Sequence, residues 1–212
     1  MKPYYEHGGI TLYHGDCREI LPSVASVDAV VTDPPYGIEA SSGVGKYGRE
    51  KWGGANDLKW DKAPLDADTL RAIISKARHS IVWGMNYFAL PPTRNYLVWD
   101  KGAGFADRTF AECELAWCSW DANARIFKRD PLAMRDYRRK VHPTQKPVAL
   151  MRWCLSLIPG NPQTILDTYA GSGSTLVAAK ELGLRAIGIE AIEQHCEAAA
   201  LRLSQETLAL NQ

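Results

Sequence analysis

Ala29, Val30 and Val31 form a short apolar run that stops at Asp33-Pro34-Pro35-Tyr36. A run of this kind, bounded by turn residues, predicts a strand buried on both faces. Each proline removes a backbone donor and fixes φ, so the sheet cannot continue through them. The result is a stiff loop at a strand's carboxyl end, where ligands sit in open α/β sheets. Upstream, residues 10–14 alternate and end at Gly15-Asp16-Cys17, which predicts a strand and an acidic turn; residues 18–21 read as a helical turn. Leu70, Ile73, Ile74 and Ala77 share one face of a helix predicted over 65–77. Strands are predicted over 79–83, 96–99 and 114–120, with Trp83, Trp99, Trp117 and Trp120 as core aromatics. Pro147 starts a helix over 148–158. A buried strand at 164–168, a helix at 175–182 closed by Gly183, a strand at 185–189 ending on Glu190 and a helix at 192–208 complete the chain. This alternation predicts a doubly wound, mostly parallel α/β sheet in a single domain over residues 1–212.

Composition narrows the chemistry. The 212 residues suffice for one core, and 46% hydrophobic with 23% charged residues is an ordinary globular balance. The net charge is +1, so any nucleic-acid contact must come from local patches. Two stretches supply them. Residues 38–62 place Lys46, Tyr47, Arg49, Lys51 and Trp52 among five glycines, a long flexible loop suited to nucleic acid or simply solvated. Residues 121–140 carry Arg125, Lys128, Arg129, Arg135, Arg138, Arg139 and Lys140 against Asp121, Asp130 and Asp136, seven positive minus three negative, or +4. Such a run is a phosphate-contacting surface or a solvated face. Cys17, Cys113, Cys118, Cys154 and Cys196 form no Cys-x-x-Cys pair, which points to reduced thiols in a cytoplasmic protein and to no metal framework. No apolar run approaches the roughly 18 to 20 residues that span a bilayer, and the amino-terminus lacks a signal peptide's apolar stretch.

The second half holds strand, Gly171-Ser172-Gly173 turn, helix, strand and acidic residue in succession. The glycines permit a tight turn and close backbone approach to a ligand. Glu190 lies 19 residues beyond Gly171 (190 minus 171), a spacing that suits a carboxylate accepting both ribose hydroxyls of a nucleoside. Residue 176 is leucine, so the stretch is not the dinucleotide fingerprint, and no Gly-Lys-Ser/Thr follows, so it is not a Walker-A loop. A nucleoside ligand without a polyphosphate fits better.

Taken together, Asp33-Pro34-Pro35-Tyr36, His142-Pro143-Thr144-Gln145-Lys146-Pro147 and the 166–175 stretch resemble the DNA amino-methyltransferases that use S-adenosylmethionine. The order, with the catalytic motif first and the cofactor glycines last, resembles the circularly permuted β group of that family, and the likeness spans residues 10 to 200. Gly15-Asp16-Cys17 and residues 96–101 match its weaker motifs. One departure stands out: the family usually has Asp-Pro-Phe where this chain has Asp167-Thr168-Tyr169. The resemblance implies a Rossmann-like class I methyltransferase fold and methylation of adenine N6 in double-stranded DNA, with no metal. It implies that the amino group of an extruded adenine sits against Asp33 and the Pro34 carbonyl, beside Pro35, with Tyr36 stacked on the base. Two acceptors favour the pyramidal amine and the positive charge that develops on nitrogen. For the cofactor, it implies Asp16 on the adenine amino group, Glu190 on the ribose, and Gly171, Gly173, Thr144 and Lys146 around the methionine end. Cys17, Asp33, Asp167, Tyr169, Ser172 and Ser174 complete that set, while His142 is expected to be structural. The family places target recognition where this chain has only 121–141. Sequence readout is therefore slight, or shared with the 38–62 loop or with another subunit in a homodimer, and a short or relaxed target is expected. Cytosine-N4 methylation is the alternative within the same chemistry, though that branch more often has Ser at the Asp33 position. RNA or a protein amide as substrate, and a non-catalytic cofactor-binding subunit, are weaker alternatives; the intact Asp33 speaks against the last.

Overall fold

The strand β3 (Val27–Thr32) stands mid-sheet, and Ala29, Val30 and Val31 have no exposed surface, as their pattern predicts. The computed structural model describes residues 1–38, 61–106, 111–136 and 144–205. Around β3 it builds β1 (Tyr5–His7), β2 (Ile10–His14), β4 (Ala77–Trp83), β5 (Tyr96–Asp100), β6 (Cys113–Cys118), β7 (Arg125–Lys128), β8 (Thr164–Asp167) and β9 (Arg185–Glu190). These make one sheet in the order β1-β2-β9-β8-β3-β4-β6-β5-β7. The β2–β9, β9–β8, β8–β3, β3–β4 and β5–β7 pairs are parallel; β1–β2, β4–β6 and β6–β5 are antiparallel.

Helices cover both faces because alternate strand residues point to opposite sides. Ala29, Val31, Ile81 and Trp83 share one core with α3 (Val148–Leu157), α4 (Ser174–Glu181) and α5 (Glu193–Ser204). Val30, Leu166 and Ile189 pack on the other side against α1 (Cys17–Ile20) and Ile73 of α2 (Ala67–Ile74). From β3 the chain steps outward to β4, and from β8 it steps the other way to β9. The boundary between β3 and β8 is therefore the sheet's topological switch point, where a ligand crevice opens at the strands' carboxyl ends.

The predicted elements are present with several corrected bounds. The helix expected over 65–77 is shorter: the Asp66 side chain accepts the Thr69 N–H at 2.8 Å and caps its start, and after Ser75 and Lys76 the chain is already in β4. The strand expected over 114–120 ends at Cys118, and the helix expected from 192 begins at Glu193. Two strands carried no legible signal. Tyr5–His7 is a three-residue antiparallel edge. Arg125–Lys128, expected as part of a recognition segment, pairs in parallel with β5 at the far edge of the sheet. Of the four tryptophans expected in the core, Trp83, Trp99 and Trp117 are buried, and Trp120 is partly buried against the cluster that holds Trp83 and Trp99. The 38–62 loop falls almost wholly outside the described residues, as do Arg138, Arg139, Lys140 and His142.

Candidate active site

A cavity of about 630 Å³ opens at the carboxyl ends of β2, β3, β8 and β9. That volume suits a small-molecule site, typically ~300–1,000 Å³. Every residue expected on the cofactor lines it except Gly173. Gly173 is nevertheless required: its φ is +77°, and a Cβ there would stand 3.0 Å from the Ala199 Cβ, so it lets the turn pack against α5.

Glu190, at the end of β9, is 8% exposed. Its Oε2 accepts the Gly171 N–H at 2.8 Å and its Oε1 accepts the Ile192 N–H at 2.9 Å. Each oxygen keeps a further lone pair for a ligand hydroxyl. His195 lies alongside, with Nδ1 at 3.4 Å from Glu190 Oε1. At the β2 end, Asp16 caps α1 by accepting the Arg18 N–H at 2.8 Å. Its carboxylate is also paired with the Arg18 guanidinium, which holds it below the usual carboxylate range. Any ligand amine at Asp16 therefore shares an occupied group. The Cys17 thiol donates to the Tyr169 hydroxyl at 3.0 Å, fastening α1 to the turn after β8.

The glycine turn is tied down by a residue that sequence reasoning missed. Arg202 of α5 donates to the Ser172 carbonyl at 2.5 Å, to Ser172 Oγ at 3.0 Å and to Ser174 Oγ at 3.3 Å. Ser172 Oγ in turn donates to Gln145 Oε1 at 3.1 Å, and Ser174 Oγ to the Lys146 carbonyl at 2.8 Å. One guanidinium thus links the 144–147 segment, the glycine turn and the last helix. Nothing in the spacing of Arg202 distinguished it from an ordinary helix-surface arginine.

Asp33 leaves the end of β3 with its carboxylate engaged on both oxygens. Oδ1 accepts the Tyr36 hydroxyl and Oδ2 accepts the Lys146 ammonium. Burial pushes the Asp33 carboxyl up, and the neighbouring Glu114 adds to that, against the opposing pull of Lys146. For Lys146, burial works against the charge, but Asp33 and Glu114 outweigh it and hold the ammonium above the ordinary lysine value. Tyr36 lies against Gly84, where a Cβ would come within 2.1 Å of the ring; the φ of +75° there also favours glycine. The Tyr36 ring stacks on Tyr87, with centroids 4.8 Å apart and planes 12° apart. A base stacked on that face would have to take the place of Tyr87. Pro34 is buried, and the Pro35 carbonyl accepts the Leu65 N–H at 3.1 Å, which pins the loop from outside.

Of the basic residues expected on DNA, Arg125, Lys128 and Arg135 are exposed. Arg129 is not free: its guanidinium makes two 2.8 Å bonds to the Asp136 carboxylate. The others lie outside the described residues. Among the described residues, no helix is long and apolar enough to cross a membrane, and no group of His, Cys, Asp and Glu is placed to hold a metal.

A doubly wound sheet carries a carboxylate, two prolines and a tyrosine at the end of one strand and a glycine turn at the end of its neighbour, the arrangement that the resemblance to the methyltransferases implied. The DNA methylase family model matches residues 78–201, more than half of the chain, and the chain belongs to that family of N6/N4 amino-methyltransferases. The type II methyltransferase M.ScaI of Streptomyces caespitosus is 26% identical over 268 residues, covering 99% of this chain and 86% of that one. The fold matches the crystal structure of the M1.HpyAVI–SAM complex with a TM-score of 0.63 at 21% identity, over 92% of this chain and 100% of that one. It matches the PvuII DNA methyltransferase (cytosine-N4-specific) with a TM-score of 0.62 at 15% identity, over 98% and 91%.

Replacing Glu190 by alanine is expected to weaken nucleoside binding by roughly 1.5 to 3 kcal/mol, the range for hydrogen bonds to a charged group. Isothermal titration with S-adenosylmethionine checks this, and an unchanged Kd would remove Glu190 from the residues that hold the ligand.

Proposed function

We propose that this protein methylates adenine N6 in double-stranded DNA with S-adenosylmethionine as methyl donor, Asp33 being the group that receives the target amine. The observation that carries the reading is the Asp33 carboxylate itself: it lines the cavity at the switch point, within one enclosure with Glu190 and the glycine turn. The residues present fit the cofactor. Glu190 offers spare acceptor positions for a diol, the Gly171 turn exposes backbone, and the cavity volume suits a nucleoside. Thr144, Gly171 and Ser172 would border the methionine end, and Asp16 the adenine. When bound, S-adenosylmethionine supplies a methyl group on a sulfonium, transferred to nitrogen as the carbon–sulfur bond breaks and its electron pair stays with sulfur.

Asp33 accepts a hydrogen bond from the amine, which draws the lone pair out of the ring and stabilises the charge growing on nitrogen. The amine proton then passes to Asp33, whose burial already favours the protonated form. Pro34 offers its carbonyl as second acceptor. Tyr36 stacks on the base once Tyr87 has given way, replacing part of the stacking lost on extrusion. Incubation with unmethylated plasmid and cofactor, followed by nucleoside mass spectrometry, tests the reading. N6-methyladenine is expected; N4-methylcytosine alone would overturn the choice of base, and no methylated nucleoside would overturn the activity.

The exposed Arg125 and Lys128 on β7 place positive charge on the sheet's outer edge. Phosphate contacts position DNA and carry little sequence information. Neutralising both is expected to weaken binding to all DNA sequences alike and to reduce the salt slope by ~0.9 for each phosphate that is no longer neutralised. A salt titration of binding to two unrelated duplexes decides this, an unaltered slope removing β7 from the interface.

A further inference from the structure

Lys146 is shared between two carboxylates. Besides Asp33, its ammonium donates to Glu114, with Nζ 3.1 Å from Oε2. The other Glu114 oxygen accepts from Lys101 at 2.8 Å. Lys101 is in turn held over the rings of Trp99 and Phe105, 5.2 and 5.4 Å from their centroids. Lys146 and Lys101 are buried, at 6% and 7% exposure. The charges alternate in a line, Asp33, Lys146, Glu114, Lys101, and sum to zero. Neither Glu114 nor Lys101 lines the cavity. Their position follows from strand direction. β6 runs antiparallel to both β4 and β5, so its first residues meet the last residues of β5, with Trp99 opposite Glu114 and Asp100 opposite Cys113.

An incoming amine must share an Asp33 oxygen with the Tyr36 hydroxyl or with the Lys146 ammonium, and Lys146 is the charged one of the two. A buried ammonium released with no second partner would be strongly unfavourable, because desolvation is no longer offset. An ammonium carries three donors, so it can keep one carboxylate while yielding the other. We propose that Glu114 is a positioning residue that gives the Lys146 ammonium a second seat and so leaves Asp33 open to the target amine, with Lys101 fixing Glu114 in place. The link to methyl transfer rests on the function proposed above; the division of the ammonium does not.

The groups acting on Asp33 are Lys146, Glu114 and Tyr36, with the buried Asp167 nearby. Glu114→Gln removes a negative neighbour and leaves the ammonium wholly to Asp33, and both changes favour ionised Asp33. Its titration, followed by carboxyl-carbon NMR in the protein alone, is expected to move to lower pH. Lys101→Met leaves Glu114 uncompensated, so it is expected to move the same titration to higher pH. Opposite shifts are what shared charge produces, whereas a merely structural role would not give them. Variants that destabilise the fold are compared with the charge-balanced double variant K101M/E114Q, whose Asp33 titration should lie below that of Lys101→Met. On DNA, Glu114→Gln should lower kcat on the order of 10- to 100-fold, the rate equivalent of one charge-assisted hydrogen bond, with cofactor Kd unchanged. An Asp33 titration unmoved in Glu114→Gln, or moved in the same direction by both single variants, overturns the proposal. Unmethylated DNA with wild-type protein overturns the proposed activity instead and leaves the NMR result to decide how the ammonium is shared.

Discussion

Asp33→Ala is expected to lower the methyl-transfer rate at least ~10²-fold, the usual loss when one hydrogen-bond partner of the transition state is removed. Cofactor affinity should fall far less than the rate, because Asp33 is only one of the residues expected around the cofactor, and the contacts assigned to Glu190 and the glycine turn lie on β9 and after β8. Charge is the reason for the loss of rate. An exocyclic amine is a poor nucleophile until an acceptor draws on its hydrogens, and the Asp33 carboxylate lies at the switch point, in the wall of the cavity that also holds the glycine turn. Asp33→Ala also leaves Lys146 with Glu114 as its carboxylate partner, so the ammonium keeps a seat and the fold should survive. Single-turnover rates on unmethylated plasmid, beside isothermal titration of the cofactor, separate the two effects. Near-normal turnover of a folded variant would take Asp33 out of the chemistry.

Much of this site was legible because its parts sit where strands end. Asp33 follows a run of apolar residues, Glu190 another, and Gly171 follows the strand ending at Asp167. The rule that ligands bind at strand carboxyl ends reaches all three. Glu114 escaped for the same reason. Glu114 lies at the amino end of β6, and only the antiparallel placement of that strand turns its start toward the site. That direction is a property of the sheet, and no local pattern encodes it. Arg202 escaped because its role depends on α5 crossing the glycine turn. The strand Arg125–Lys128 escaped because it is only four residues long, Arg-Ile-Phe-Lys, with a charge at each end and no alternation to mark a buried face. Arg129 shows the converse hazard. Counted as free positive charge, it is held by Asp136, seven residues on, and serves to close its own segment.

Asp167 should make the fold's stability fall as pH rises from about 4 to about 7. The residue is 3% exposed at the end of β8, and burial pushes its carboxyl pKa up to about 6. Thr175, the Tyr169 N–H and Thr32 partly compensate by donating hydrogen bonds, while the nearby Asp33 adds to the rise. In the unfolded chain the group titrates near 3.8. Between these two values the folded state holds a proton that the unfolded state has lost, so raising pH favours unfolding. The stabilisation is complete below about 3.8 and gone once pH passes about 6. At 1.36 kcal/mol per pH unit, the separation corresponds to about 3 kcal/mol. Asp167→Asn removes this titration while keeping an acceptor oxygen for the Tyr169 N–H. Its effect is best read as a double difference, because any pH-independent cost of the new amide then cancels. Wild type is expected to lose about 3 kcal/mol more than Asp167→Asn between pH 4 and pH 7 in urea unfolding. Parallel pH profiles for the two proteins would mean that Asp167 ionises in the fold as readily as in the unfolded chain.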